Sequence, residues 1–154
     1  MTLNGHRRVR LEFSSTFDML DFVQVVSDYV ARSVGLDDDA LHWTGVAVRE
    51  CVINAIKHGN RGDVSKHVFV EFTASPPTEP PELTIRVRDQ GEGFDPSSLA
   101  DPLAPENLLK ASGRGIFLIR TFMDAVEIER AAQGGMEICM VKRVPSTGAS
   151  SGRG

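Results

Sequence analysis

The segment RECVINAIKHGN, residues 49–60, places Glu50, Asn54 and His58 four residues apart in an otherwise apolar run. Helix positions four apart lie about 40° apart around the axis, so these three polar side chains form one nearly straight row. Val46, Ala47, Val48, Cys51, Val52, Ile53, Ala55 and Ile56 surround the row and leave no broad solvated face. A carboxylate in such surroundings must be paired, hydrogen-bonded or turned toward a cavity that holds water, metal or ligand. Asn54 offers a neutral oxygen suited to Mg²⁺, a cation that keeps several waters and binds substrate phosphates as well. Glu50, one turn earlier, can accept a proton from an attacking hydroxyl or water. The ordinary alternative pairs Glu50 with Arg49, Lys57 or a strand arginine, bonds Asn54 to neighbouring backbone and leaves His58 decorating the last turn.

Two glycine stretches offer complementary chemistry. In DQGEGF, Gly91 and Gly93 let backbone approach a ligand closely, while Asp89 accepts a hydrogen bond from a donor such as the exocyclic amine of adenine. An ordinary turn has the same composition, and a calcium loop would need later acidic ligands that the spacing lacks. In SGRGIF, Gly113 and Gly115 lead into a helix whose free N–H groups and positive dipole end make an anion site, with Arg114 available for a charge-assisted contact. A plain helix cap uses the same residues. The stretch lacks the third glycine of a dinucleotide fingerprint, and the chain contains no GxxxxGK[ST]. Together the three segments supply a carboxylate-amide helix, a base-reading strand end and a phosphate-cradling helix start.

The elements that must position these groups follow from periodicity. RRVRLEFSS alternates Val9, Leu11 and Phe13 with polar neighbours, as a half-buried strand does. A helix from about Thr16, an N-cap, to Val34 ends at Gly35, and Asp37, Asp38 and Asp39 open a second that runs to His58 and stops at Gly59. HVFVEFTAS and ELTIRVRD form a hairpin with a Pro-rich tip, and Asp89 closes its second strand. Residues 94–112 have the length and composition of a lid. GRGIFLIRTFMD reads as a helix, followed by a last hairpin of AVEIERA and MEICMVKRV around QGG. The order β, α, α, β, β, lid, α, β, β predicts an α+β fold: a two-layer α/β sandwich, mostly antiparallel, with helices on one face. One domain is expected over 1–144, with a disordered polar tail over 145–154.

Composition narrows the function classes. The 154 residues are 41% hydrophobic and 25% charged, ordinary for a globular domain, and the net charge of −4 with scattered Lys and Arg argues against direct nucleic-acid binding. There is no apolar run of signal-peptide or membrane-span length, so a cytoplasmic protein is expected. Cys51 and Cys139 have neither disulfide-framework nor zinc spacing and read as reduced, packed thiols.

These boxes, in this order, resemble the GHKL ATPase superfamily and its Bergerat ATP-binding fold, over roughly residues 7–144. NAIKHGN and GRGIFLIRTFMD resemble more narrowly the anti-sigma-factor serine/threonine kinases of the RsbW type. The resemblance implies that Asn54 ligates Mg²⁺, Asp89 binds the adenine amine of ATP, Gly91 and Gly93 shape the base pocket, and Gly113, Arg114 and Gly115 lie at the phosphates. It makes Glu50 the general base that activates a seryl or threonyl hydroxyl. It implies a kinase that holds a sigma factor and phosphorylates an anti-anti-sigma partner of the STAS type, and it is compatible with a homodimer. One departure is Ala111, where some members carry an arginine before the Ser-Gly of the second glycine box. A nucleotide-dependent binding module with weak or no kinase activity is the alternative.

Overall fold

The computed structural model describes residues 7–77, 79–92 and 115–145. The expected lid, Gly93, Gly113, Arg114 and the tail from 146 onward lie outside the described residues.

The first strand, β1 (Arg7–Ser14), is followed by a short 3₁₀ turn (Phe17–Met19) and helix α1 (Leu20–Val34). Thr16 has the extended backbone of an N-cap, but its side chain makes no capping bond, so the α-helix opens later than its sequence position implied. Gly35, at φ 99°, closes α1, its N–H donating to Ala31 and Arg32 carbonyls; the left-handed conformation is one that glycine adopts without a Cβ penalty. Helix α2 (Asp38–Asn54) is capped by the Asp37 carboxylate, which accepts from Ala40 N–H at 2.8 Å. Asp38 and Asp39 add negative charge at the positive end of the dipole.

Hairpin β2 (His67–Ala74) and β3 (Glu82–Arg88), helix α3 (Gly115–Phe122) and hairpin β4 (Ala125–Arg130) and β5 (Met136–Arg143) complete the described chain. The five strands lie in the order β1-β2-β3-β5-β4, and every neighbouring pair is antiparallel. The expected α+β sandwich is the one observed.

Strict alternation sorts the sheet into two faces. Val68, Val70 and Phe72 of β2, Leu83, Ile85 and Val87 of β3 and Met140 of β5 are buried against the helices. The other face is charged: Arg8, Arg10 and Arg86 converge on Glu71, and Arg88 lies over the Phe69 ring at 3.9 Å. On the covered face, α2 contributes Val48, Cys51 and Val52, the turn that follows it contributes Ile56, and α3 contributes Ile119. Trp43 of α2 stacks on Phe122 of α3 with centroids 4.0 Å apart and planes 7° from parallel, which ties the third helix to the second. Cys51 is buried with its Sγ 3.6 Å from Met140 Sδ, and both cysteines are free.

Candidate nucleotide site

The site grows from the end of α2. After Asn54 the helix widens into a π-helical turn, Ala55–Gly59, in which Asn60 N–H donates to Ala55 C=O at 2.8 Å, five residues back. The sequence had implied an unbroken α-helix to His58. The difference has a physical cause in Asn60, which is 1% exposed and held by tertiary bonds. Its Nδ2 donates to Ser15 Oγ at 2.7 Å and to His67 C=O at 3.0 Å, while its Oδ1 accepts from Gln90 N–H at 2.8 Å. Single π turns of this kind are often found at functional sites.

Glu50 and Asn54 are both partly buried on α2, and His58 is exposed on the π turn. Glu50 has no hydrogen bond or ion pair among the described residues, so the partners open to it in sequence, Arg49 and Lys57 included, do not hold it. The Nδ2 of Asn54 is buried without a hydrogen-bond partner among the described residues. A buried amide left unsatisfied costs about 1–3 kcal/mol, a cost that a ligand able to bond it would remove.

Asp89 lies just past the end of β3 and is 5% exposed. Its Oδ1 accepts from Gly91 N–H at 2.9 Å and from Met136 N–H at 3.1 Å, and its own N–H donates to Met136 C=O at 3.1 Å. Oδ2 has no donor among the described residues. Burial pushes the Asp89 carboxyl above its ordinary value; the bonds from Gly91 and Met136, and the charges of Arg88 and Lys66, pull the other way.

Three glycines close around this carboxylate. A Cβ on Gly59 would overlap the Asp89 side chain, one on Gly91 would overlap the Gly59 carbonyl, and one on Gly135 would overlap the Asp89 carbonyl. Gly135 also stands at φ 84°, where any side chain is strained. The end of α2, the exit of β3 and the start of β5 therefore meet at Asp89. Gly115 is the first residue of α3, whose far end is docked on α2 through Trp43 and Phe122.

Gly59, Asn60 and Gly135 were not singled out by sequence reasoning. Gly59 reads as a helix stop and Gly135 as part of a hairpin turn; their second role arises only when residues 30 to 46 positions away pack on them. Asn60, following a helix-ending glycine, reads as an ordinary turn residue.

The histidine kinase-like ATPase domain matches residues 14–142 of this chain. An anti-sigma F factor of Clostridium perfringens is 35% identical over 144 residues, spanning 89% of this chain and 96% of the relative. A serine-protein kinase RsbW of Listeria monocytogenes is 23% identical over 145 residues, spanning 90% and 88% respectively. Among solved structures, that of the RsbU and RsbW domains of Rv1364c from Mycobacterium tuberculosis superposes with a TM-score of 0.62 at 16% identity, over 89% of this chain and 32% of that one. The chain belongs to the histidine kinase-like ATPase domain family, the GHKL class to which its motifs point. Its relatives include both anti-sigma factors and serine-protein kinases. No helix among the described residues is long and apolar enough to cross a membrane.

Proposed function

We propose that this chain is an ATP-dependent serine/threonine protein kinase that acts as an anti-sigma factor, binding a sigma factor and phosphorylating an anti-anti-sigma partner of the STAS type. The observation that carries the kinase reading is Glu50, a partly buried carboxylate without a partner among the described residues, one helical turn before the Asn54 amide whose Nδ2 is likewise unpartnered there. A catalytic base needs freedom from a permanent cation, and among the described residues none pairs with Glu50. The named partners rest on the relatives, which are an anti-sigma F factor and an RsbW kinase.

The residues present fit ATP and Mg²⁺. Asp89, cradled by glycines and with Oδ2 free among the described residues, accepts the exocyclic amine of adenine. Gly91 and Gly93 shape the base pocket, and Gly113, Arg114 and Gly115 receive the phosphates where α3 begins. Asn54 would hold Mg²⁺ through its side-chain oxygen. Mg²⁺, when bound, neutralises phosphate charge.

Glu50 accepts the proton of the partner's seryl or threonyl hydroxyl as that oxygen bonds to the γ-phosphorus. The bond from the γ-phosphorus to the bridging oxygen breaks, and ADP leaves. Phosphoryl transfer depends on positioning and charge neutralisation more than on covalent chemistry, so one base and a preformed cradle suffice.

Ala111 and the anti-sigma F relative favour a second reading, a nucleotide-dependent binding module with weak or no kinase activity. Incubation with labelled ATP, Mg²⁺ and a STAS-domain partner decides between them. Label transferred to a partner serine or threonine by the wild type and not by Glu50→Ala supports the kinase. Saturable ATP binding with no transfer leaves the binding module.

A further inference from the structure

The Asn60 side chain is the one polar link among the described residues between the end of α2 and the exit of β3. Its backbone belongs to the π turn, through Asn60 N–H to Ala55 C=O at 2.8 Å. Its Oδ1 accepts from Gln90 N–H at 2.8 Å, one residue beyond Asp89. Its Nδ2 is fixed from the other side by Ser15 Oγ at 2.7 Å and His67 C=O at 3.0 Å, so the amide cannot turn without losing three bonds at once. Ser15 Oγ–H in turn donates to Lys66 C=O at 2.6 Å, and His67 N–H donates to Gln90 Oε1 at 2.6 Å. The end of β1, the start of β2 and the exit of β3 are thereby keyed to one side chain.

The geometry points to Asn60 as a positioning residue for base recognition: it sets Asp89 relative to the helix that carries Glu50 and Asn54, and so determines preference for a purine with an exocyclic amine over one with an oxo group. This inference rests on the reading of Asp89 as the acceptor for adenine. Asp89 has one oxygen committed to Gly91 and Met136 N–H, and its remaining oxygen faces Gly59, the residue before Asn60. Asn60 bridges the two sides of that contact: its backbone N–H closes the π turn that contains Gly59, and its Oδ1 holds the N–H of Gln90, the residue after Asp89. Without the amide, the strand exit and the helix end can part, and the free oxygen no longer meets an amine whose phosphates are held at the helices. In the proposed site the phosphates and the cation are assigned to residues other than Asn60, so the loss is expected to fall on the base.

The test compares binding of ATP and inosine triphosphate, which has an oxo group in place of the amine, by titration calorimetry with Mg²⁺. Wild type is expected to prefer ATP, and Asn60→Ala is expected to lose about tenfold of that preference, the factor of one charged hydrogen bond, with inosine triphosphate affinity little changed. In an Asp89→Asn background, Asn60→Ala is expected to have no further effect on the preference, since both substitutions remove one contact. Asn60→Asp keeps an acceptor for Gln90 N–H and is expected to retain the preference within about twofold while losing stability; it carries the test if Asn60→Ala does not fold. Equal loss of both nucleotides, additive effects with Asp89→Asn, or loss of the preference in Asn60→Asp would overturn the positioning role and leave Asn60 a packing residue. A wild type that binds both nucleotides alike would instead remove Asp89 as the amine acceptor, and this inference with it.

Discussion

Gly59 lies directly against the carboxylate of Asp89, so close that a Cβ on Gly59 would reach within 2.8 Å of the Asp89 Cβ and overlap its carboxyl group. The helix that carries Glu50 and Asn54 therefore ends on the group assigned to the base. Because Gly59 lacks a positive φ, its requirement is spatial and not conformational. Gly59→Ala is expected to displace Asp89, weaken ATP binding by at least about tenfold and destabilise the fold by about 1–3 kcal/mol, the usual range for overpacking. Calorimetry and thermal melting measure the two effects, and an unchanged dissociation constant would show that the contact has no part in binding.

Asp89→Asn removes the charge and keeps the shape. ATP affinity is expected to fall by about 1.5–3 kcal/mol, as for a lost charged hydrogen bond. Burial raises the Asp89 carboxyl above its ordinary value of 3.8, so wild-type affinity should fall as pH is lowered through that raised value, and the variant should lack this inflection. For stability the sign is opposite. Between 3.8 and the raised value the folded state holds a proton that the unfolded state has released, so this group's contribution declines as pH rises through that window. Affinity and denaturant midpoints measured across acid pH check both slopes; a variant with the wild-type affinity profile would assign the inflection elsewhere.

Glu50→Ala separates chemistry from binding. With no bond or ion pair of Glu50 to lose among the described residues, the variant is expected to fold normally and bind ATP within about twofold of wild type, while phosphoryl transfer to the partner falls by the 10²–10⁴ typical of a general base. Equal transfer rates for variant and wild type would take Glu50 out of the mechanism.

What could be read from the sequence was what local pattern decides. The strands were legible because Val68, Val70 and Phe72, or Leu83, Ile85 and Val87, alternate with polar residues and so declare one buried face. Asp37 and Gly35 mark helix ends through bonds to their own neighbours. Asp89 stood out because its partner glycine, Gly91, is two residues away. The π turn was not legible, because it depends on Asn60 reaching Ser15 across 45 residues and Gln90 across 30. Gly135 likewise declares a turn in sequence, and only the sheet order β3-β5 brings it to Asp89.

Asn54→Ala tests the orphaned amide. A residue retained for packing would be missed on removal, but the Asn54 Nδ2 makes no hydrogen bond among the described residues. Stability is expected to stay within about 1 kcal/mol of wild type, since relief of the unsatisfied group offsets the lost contacts. The Mg²⁺ dependence of ATP binding should flatten at the same time. Titrations with and without the cation measure this, and a variant as magnesium-dependent as wild type would place the cation elsewhere.

Trp43 is the single tryptophan, and its stack on Phe122 makes it a reporter of how α3 sits on α2. Phe122→Ala uncovers one face of the indole, so emission should shift to longer wavelength. The variant should lose the about 0.5–1.5 kcal/mol of an aromatic pair together with the area it buries. If the phosphates sit where α3 begins, as proposed, loosening its far end should also weaken ATP binding, though less than Asp89→Asn, because those contacts would be displaced and not removed. Unshifted emission would mean that the stack does not hold α3 in solution.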